Sequence, residues 1–145
     1  MNKLHTIKIP SDLKEVKKVS AEILDFLKAC KLFKNELLDI KLCLEEALIN
    51  AIKHGNRLDK SLKVKIDYNL GDDTFKVTIT DEGEGFDYKH IPDPTLEENL
   101  QELKGRGIFL IRRLMDEVQF NERGNSITMV KFLNKGVKSE YKHRE

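Results

Sequence analysis

The stretch Glu46-Ala47-Leu48-Ile49-Asn50-Ala51 places a carboxylate and a carboxamide four positions apart inside an otherwise apolar run. Positions i and i+4 lie one above the other on a helix face, so a helix here presents Glu46 and Asn50 together. The pattern predicts such a helix: Asn35 stands as its N-cap, Leu37, Ile40, Leu44, Ala47, Leu48 and Ala51 recur at helical spacing, and His54-Gly55-Asn56 ends it in C-cap fashion. Glu45 points about 100° away around the same helix and stays outside the pair. Alone, the pair is no more than a polar helix face. Two further clusters, Asp81-Glu82-Gly83-Glu84-Gly85 and Gly105-Arg106-Gly107, give it a context.

Upstream of this helix, His5, Ile7 and Ile9 alternate with Leu4, Thr6 and Lys8 before Pro10, which reads as a short edge strand. Ser11 offers an N-cap, and Val16, Val19, Ile23, Phe26 and Leu27 then form an amphipathic helix of about five turns reaching Cys30. Downstream, Leu62-Val64-Ile66-Tyr68 and Phe75-Val77-Ile79 alternate with period two on either side of Gly71-Asp72-Asp73, an antiparallel hairpin whose second apolar row ends in Asp81. Between Gly83 and Gly107 the pattern collapses into charge around Pro92 and Pro94, and loops of that length are usually functional or mobile. A helix resumes at Ile108, followed by strands near 118–122 and 126–133 that turn at Arg123-Gly124-Asn125. The tail from Asn134 is too charged to pack.

With 145 residues the chain reads as one domain. Lysine and arginine total 26 against 25 aspartates and glutamates, a net charge of +1 that supplies no global field for nucleic acid or an anionic membrane. The N-terminus lacks an apolar leader and no run approaches a membrane span, which makes the cytoplasm the expected location. Cys30 and Cys43 lack C-x-x-C spacing and read as small hydrophobes.

The three clusters fit the needs of a nucleotide. A divalent cation on a triphosphate wants oxygen donors and takes only one or two from protein, a role open to the Asn50 carboxamide. Glu46, one turn earlier, stands where it can accept a proton from a hydroxyl or water. Asp81 is expected in a partly buried pocket, where a carboxylate needs a donor and an adenine amine supplies one; Gly83 and Gly85 would let a flat base approach the backbone. The same five residues could simply close a hairpin. Gly105-Arg106-Gly107, with Lys104, precedes a helix whose N-terminal amides suit phosphate, although a loop before an ordinary helix explains it equally. No Walker A loop is present, and the glycines do not follow the first strand as in a dinucleotide fold.

Helix with Glu and Asn, strand ending in D-x-G-x-G, long loop, G-x-G opening a helix, and a strand starting with a hydroxyl at Ser126: this order resembles the GHKL or Bergerat-fold ATPases, specifically the small anti-sigma-factor serine/threonine kinases. The resemblance implies an α+β two-layer sandwich, a mixed, mainly antiparallel sheet covered on one face by about three helices. It implies an ATPase domain over residues 1–135 and a charged tail over 136–145. By it, Glu46 is the catalytic base, Asn50 the magnesium ligand and Asp81 the adenine-binding carboxylate. Gly83, Gly85, Gly105 and Gly107 line the nucleotide, with Lys104 and Arg106 adding charge. Ser126, or Thr128 beyond it, gives a hydroxyl to the carboxylate, residues 87–104 form an ATP lid, and His54 and Gly55 extend the helix motif. Asp93-Pro94-Thr95 and the run from Gly105 to Leu110 look like the stand-alone kinases, and no phosphoacceptor-histidine helix precedes the domain as a sensor histidine kinase would require.

The implied chemistry is transfer of the γ-phosphoryl group of ATP, with Mg2+, to a serine or threonine of an anti-sigma-factor antagonist, which would free this protein to hold a sigma factor. Homodimerisation is a further property of the family. A non-catalytic ATP-binding partner-switch module is the competing expectation, and an ATPase module cut from a larger regulator is less favoured because the N-terminal strand and charged tail read as a complete chain.

Overall fold

The computed structural model describes residues 3–30, 32–85 and 103–133, apart from the side chains of 103–106. Phe86, residues 87–102 of the expected lid and the charged tail lie outside those residues, while 103 and 104 fall in a helix. Five strands, β1 (His5–Pro10), β2 (Lys63–Leu70), β3 (Thr74–Thr80), β4 (Glu117–Phe120) and β5 (Ser126–Phe132), form one sheet in the order β1-β2-β3-β5-β4. Each neighbouring pair is antiparallel, with Ile66 opposite Ile79 and Ile79 opposite Ile127. The period-two rows explain the layering: Val64, Ile66, Tyr68, Phe75, Val77, Ile79, Ile127 and Met129 are buried, whereas Lys63, Lys65 and Lys76 on the other face are exposed.

The buried face is covered by α1 (Lys14–Lys28), α2 (Lys34–Ile49) and α3 (Leu103–Leu114). Val19, Ile23 and Leu27 of α1, Ile40, Leu44 and Leu48 of α2, and Ile111 of α3 join the strand residues in one apolar cluster. This is the two-layer α+β sandwich expected, with β1 at the edge of the sheet.

Three local readings are corrected. Ser11 does not cap α1. Its hydroxyl donates to the Leu62 carbonyl at 2.7 Å and accepts from Asn56 at 2.8 Å, leaving Asp12 Oδ1 to take the Lys14 amide at 3.0 Å, and α1 is 15 residues, nearer four turns. Asn35 does not cap α2, which starts at Lys34; Glu36 reaches back to the Phe33 amide at 3.2 Å instead. Finally, α3 begins at Leu103, so Gly105-Arg106-Gly107 lies inside the helix and not before it. Glycine costs about 1 kcal/mol in a helix, but first-turn amides need no intrahelical acceptor, and burial of Ile108, Ile111 and Met115 farther along favours the packed helix.

Candidate functional site

After Ile49 the chain does not leave the helix but continues through a π-helical segment, Asn50–Gly55. Such wide turns are rare and are often found at functional sites. Asn56 follows, 1% exposed, and its carboxamide is fully used: Nδ2 donates to Ser11 Oγ and, at 3.0 Å, to the Lys63 carbonyl, while Oδ1 accepts the Glu82 amide at 2.8 Å. The Glu82 carboxylate in turn accepts the Lys63 amide at 2.8 Å. The end of the π segment and the loop after β3 are thereby fixed to each other.

Asp81 continues the inward row of β3 and is buried, 9% exposed. Its Oδ1 accepts the Gly83 amide at 2.7 Å, its own amide donates to the Asn125 carbonyl at 2.9 Å, and its carbonyl accepts Asn125 Nδ2 at 2.8 Å. Glycines let these segments close up: a Cβ on Gly55 would fall inside the Asp81 carboxylate, and one on Gly83 would strike the Gly55 carbonyl oxygen. Gly85 has φ +91° and lies against the Arg123 carbonyl, so it needs both the left-handed conformation and the missing side chain.

Above this loop is an open cleft lined by Asn50, Gly55, Asp81, Gly85 and Ser126 together with apolar Ala47, Ala51, Ile79, Ile108 and Ile127. An apolar slot with a buried carboxylate acceptor suits a flat heterocycle carrying an amine. Asn50 also lines an adjoining open recess with Glu46, Lys53, His54, Gly107 and Leu110. There a Cβ on Gly107 would stand 2.7 Å from Glu46 Oε1 and 3.3 Å from Asn50 Nδ2, so α3 closes directly over the pair.

The structure therefore brings Glu46, Asn50 and Gly107 together in one recess, and Asn50 with Asp81, Gly85 and Ser126 in the cleft. Gly83 supports Asp81 from below. Among the described residues, the expected bond from Ser126 or Thr128 to the Asp81 carboxylate is not made: the Ser126 hydroxyl pairs with Thr80 Oγ1 at 2.9 Å and Thr128 Oγ1 with Thr78 Oγ1 at 2.8 Å, each across the ladder from β3 to β5. Lys104, Gly105 and Arg106 are placed as backbone in the first turn of α3, with side chains outside the described residues. Glu45 is turned away, 3.8 Å from Lys41 Nζ, as its angular position requires.

Sequence reasoning missed Asn56, Phe120, Gly124 and Asn125. Phe120, Gly124 and Asn125 line the cleft from the β4–β5 turn, and a turn signature at Arg123-Gly124-Asn125 carries no sign of what the turn faces. Among the described residues no group of three or more His, Cys, Asp or Glu side chains converges as a metal cage. A hard cation carried by a polyphosphate fits this donor set, since Asn50 offers an oxygen beside the Glu46 carboxylate and magnesium takes most of its ligands from phosphate and water.

Comparison with known proteins agrees with the geometry. Residues 9–131 match the family described as the histidine kinase-like ATPase domain. The serine-protein kinase RsbW of Staphylococcus epidermidis is 35% identical over 109 residues, covering 70% of this chain and 69% of that protein. RsbW of Bacillus subtilis is 34% identical over 109 residues, covering 69% and 67% respectively. A crystal structure of the RsbU and RsbW domains of a Mycobacterium tuberculosis protein shares the fold with a TM-score of 0.62 at 16% identity, over 90% of this chain and 32% of that one. With a family match spanning most of its length and relatives at this identity, the chain belongs to the histidine kinase-like ATPase family and is homologous to the RsbW-type anti-sigma-factor kinases.

Proposed function

We propose that this protein is an ATP-dependent serine/threonine kinase that phosphorylates an anti-sigma-factor antagonist in the cytoplasm and, in the alternate state of the switch, holds a sigma factor. The observation that carries the reading is the convergence of Glu46 and Asn50 under Gly107, in a recess joined through Asn50 to the cleft that contains Asp81. Homology to the RsbW-type kinases supports it at the level of the family.

In this reading the catalytic unit is residues 1–135. Asp81 accepts a hydrogen bond from the adenine amine, with Gly83 and Gly85 giving the base access and Ser126 forming part of the cleft wall. Gly105 and Gly107 bring the first turn of α3 close to the phosphates, where Lys104 and Arg106 add positive charge. Asn50 would hold Mg2+, which when bound neutralises phosphate charge and orients the γ-phosphoryl group. Glu46 takes the proton of the acceptor hydroxyl as its oxygen bonds to the γ-phosphorus, and the bond from that phosphorus to the bridging oxygen breaks to release ADP. The chain's own contribution is mostly positioning and a carboxylate at the right edge of the recess.

The phosphoserine or phosphothreonine adds about −1.5 to −2 charge at pH 7, enough to expel the antagonist from a surface made for a neutral hydroxyl. Incubation with γ-labelled ATP, Mg2+ and the cognate antagonist tests the assignment. The wild type should transfer label, whereas Glu46→Gln should bind ATP and transfer none. Retained transfer in Glu46→Gln would remove Glu46 from its role. Tight ATP binding by the wild type without a phosphoprotein would favour the non-catalytic module. Sedimentation of the same sample would show whether the active species is a homodimer.

A further inference from the structure

The β4–β5 turn does more than connect two strands. Asn121 Oδ1 accepts three successive amides, Gly124 at 2.8 Å, Asn125 at 3.0 Å and Ser126 at 3.1 Å, and its Nδ2 donates to Asn125 Oδ1 at 2.7 Å. Asn125 is thus held at its own carbonyl group of the side chain, which leaves its Nδ2 aimed at one acceptor, the Asp81 carbonyl, at 2.8 Å. The Asp81 amide returns a bond to the Asn125 backbone at 2.9 Å, and Gly85 abuts the Arg123 carbonyl, so the turn grips the Asp81–Gly85 loop at both ends.

Resting on the assignment of Asp81 to base recognition, we propose that Asn125 is a positioning residue for nucleotide specificity. Its side chain sets the pitch of the Asp81 backbone and through it the carboxylate, and Asn121 locks Asn125 in place. Asn125 precedes Ser126, the β5 partner of Thr80, and so flanks Asp81 at the end of the β3–β5 ladder, where a small rotation about the Asp81 backbone would swing the carboxylate away from a base edge. The Gly83 bond to Oδ1 restrains the carboxylate from its own loop, and Asn125 restrains the Asp81 backbone from the turn of the neighbouring strand.

The test is a ratio. ATP and purine riboside triphosphate, which lacks the 6-amine, are titrated into the full chain by calorimetry, for the wild type, Asp81→Asn, Asn125→Ala and Asn121→Asp. The wild type should prefer ATP by about tenfold or more, the scale of a hydrogen bond to a charged acceptor, and Asp81→Asn should abolish the preference. Asn125→Ala should lose most of the preference through weaker ATP binding while its affinity for the analogue stays within about twofold. Should that variant fail to fold, Asn121→Asp keeps an acceptor for the three amides, replaces the donor to Asn125 by a carboxylate oxygen that repels Asn125 Oδ1, and should lose part of the preference. A simply structural role would weaken both nucleotides equally. An unchanged ratio in Asn125→Ala, or in Asn121→Asp where that is the folded variant, would overturn the proposal. Absence of any preference in the wild type would instead overturn the assignment of Asp81 on which it rests.

Discussion

At the scale of single residues the site is built by subtraction as much as by functional groups. Gly107 carries no chemistry, yet it is the point at which α3 meets the Glu46 carboxylate, with an added Cβ only 2.7 Å from Oε1. Alanine is favoured over glycine in a helix by about 1 kcal/mol, so Gly107→Ala should leave the fold as stable or slightly more so. The displaced atom is the far end of a side chain, which will swing aside. Phosphoryl transfer should therefore fall about 100-fold, the cost of misplacing a reacting group by about 1 Å, and ATP affinity should fall by a smaller factor because Gly107 also faces the phosphates. Transfer assays read beside calorimetry check the two halves separately; equal loss in both would mean that Gly107 serves nucleotide binding and not Glu46. Gly55 makes the converse case. A Cβ there enters the Asp81 carboxylate, and Gly55→Ala should weaken ATP binding at least tenfold and lower stability by about 1–3 kcal/mol, as melting and titration will show.

Among the elements, what could be read from the sequence was whatever repeats along the chain. The rows from Val64 to Tyr68 and from Phe75 to Ile79 declare their strands because every second residue is buried, and Asp81 announces itself as the polar end of a buried row. What could not be read depends on partners distant in sequence. Ser11 has the side chain of a helix cap, but its hydroxyl is claimed by Leu62 and Asn56, 51 and 45 positions away. The start of α3 hides in a charged segment without apolar rhythm, and the π segment continues the buried apolar spacing of α2 through Ala51 and Ile52. Glu46 and Asn50 are legible as a pair on a helix, while Asn56 and Asn125 look like ordinary turn residues until the loops meet. Asn56 ties α1's entry, β2 and the loop after β3 together through one carboxamide. Asn56→Ala leaves the Glu82 amide and Lys63 carbonyl without those bonds, and should cost about 2–3 kcal/mol in urea unfolding, with ATP affinity falling as the loop loosens. A loss under about 0.5 kcal/mol would show that water replaces the asparagine.

On the scale of the whole molecule, the helix layer and one sheet face share a single core, and the candidate site sits where that core reaches the surface between α2 and α3. Cys43, one turn before Glu46 on α2, belongs to the fully buried part of it. Burial, aided by the negative charge of Asp39 and opposed by Lys131, pushes its thiol up from the ordinary 9.0 to about 12. Lys131 is itself held by Asp39 at 3.2 Å and by the last carbonyl of α3, Leu114, at 2.7 Å. The unfolded chain thus releases the thiol proton near pH 9 while the folded chain keeps it until about pH 12. Between those values the unfolded state binds fewer protons, so stability must fall as pH rises, by at most about 1.4 kcal/mol per pH unit from this group. Below pH 9 the thiol is protonated in both states and contributes no slope. Urea unfolding at pH 8, 9 and 10 should show a steeper decline in the wild type than in Cys43→Ala, which will be less stable at pH 8 because a buried sulfur is gone but flatter above it. Tyrosines and lysines titrate in both proteins, so the difference between the two slopes isolates Cys43. Parallel slopes would mean that the thiol ionises as easily inside the fold as outside, and that solvent reaches α2 beneath Glu46.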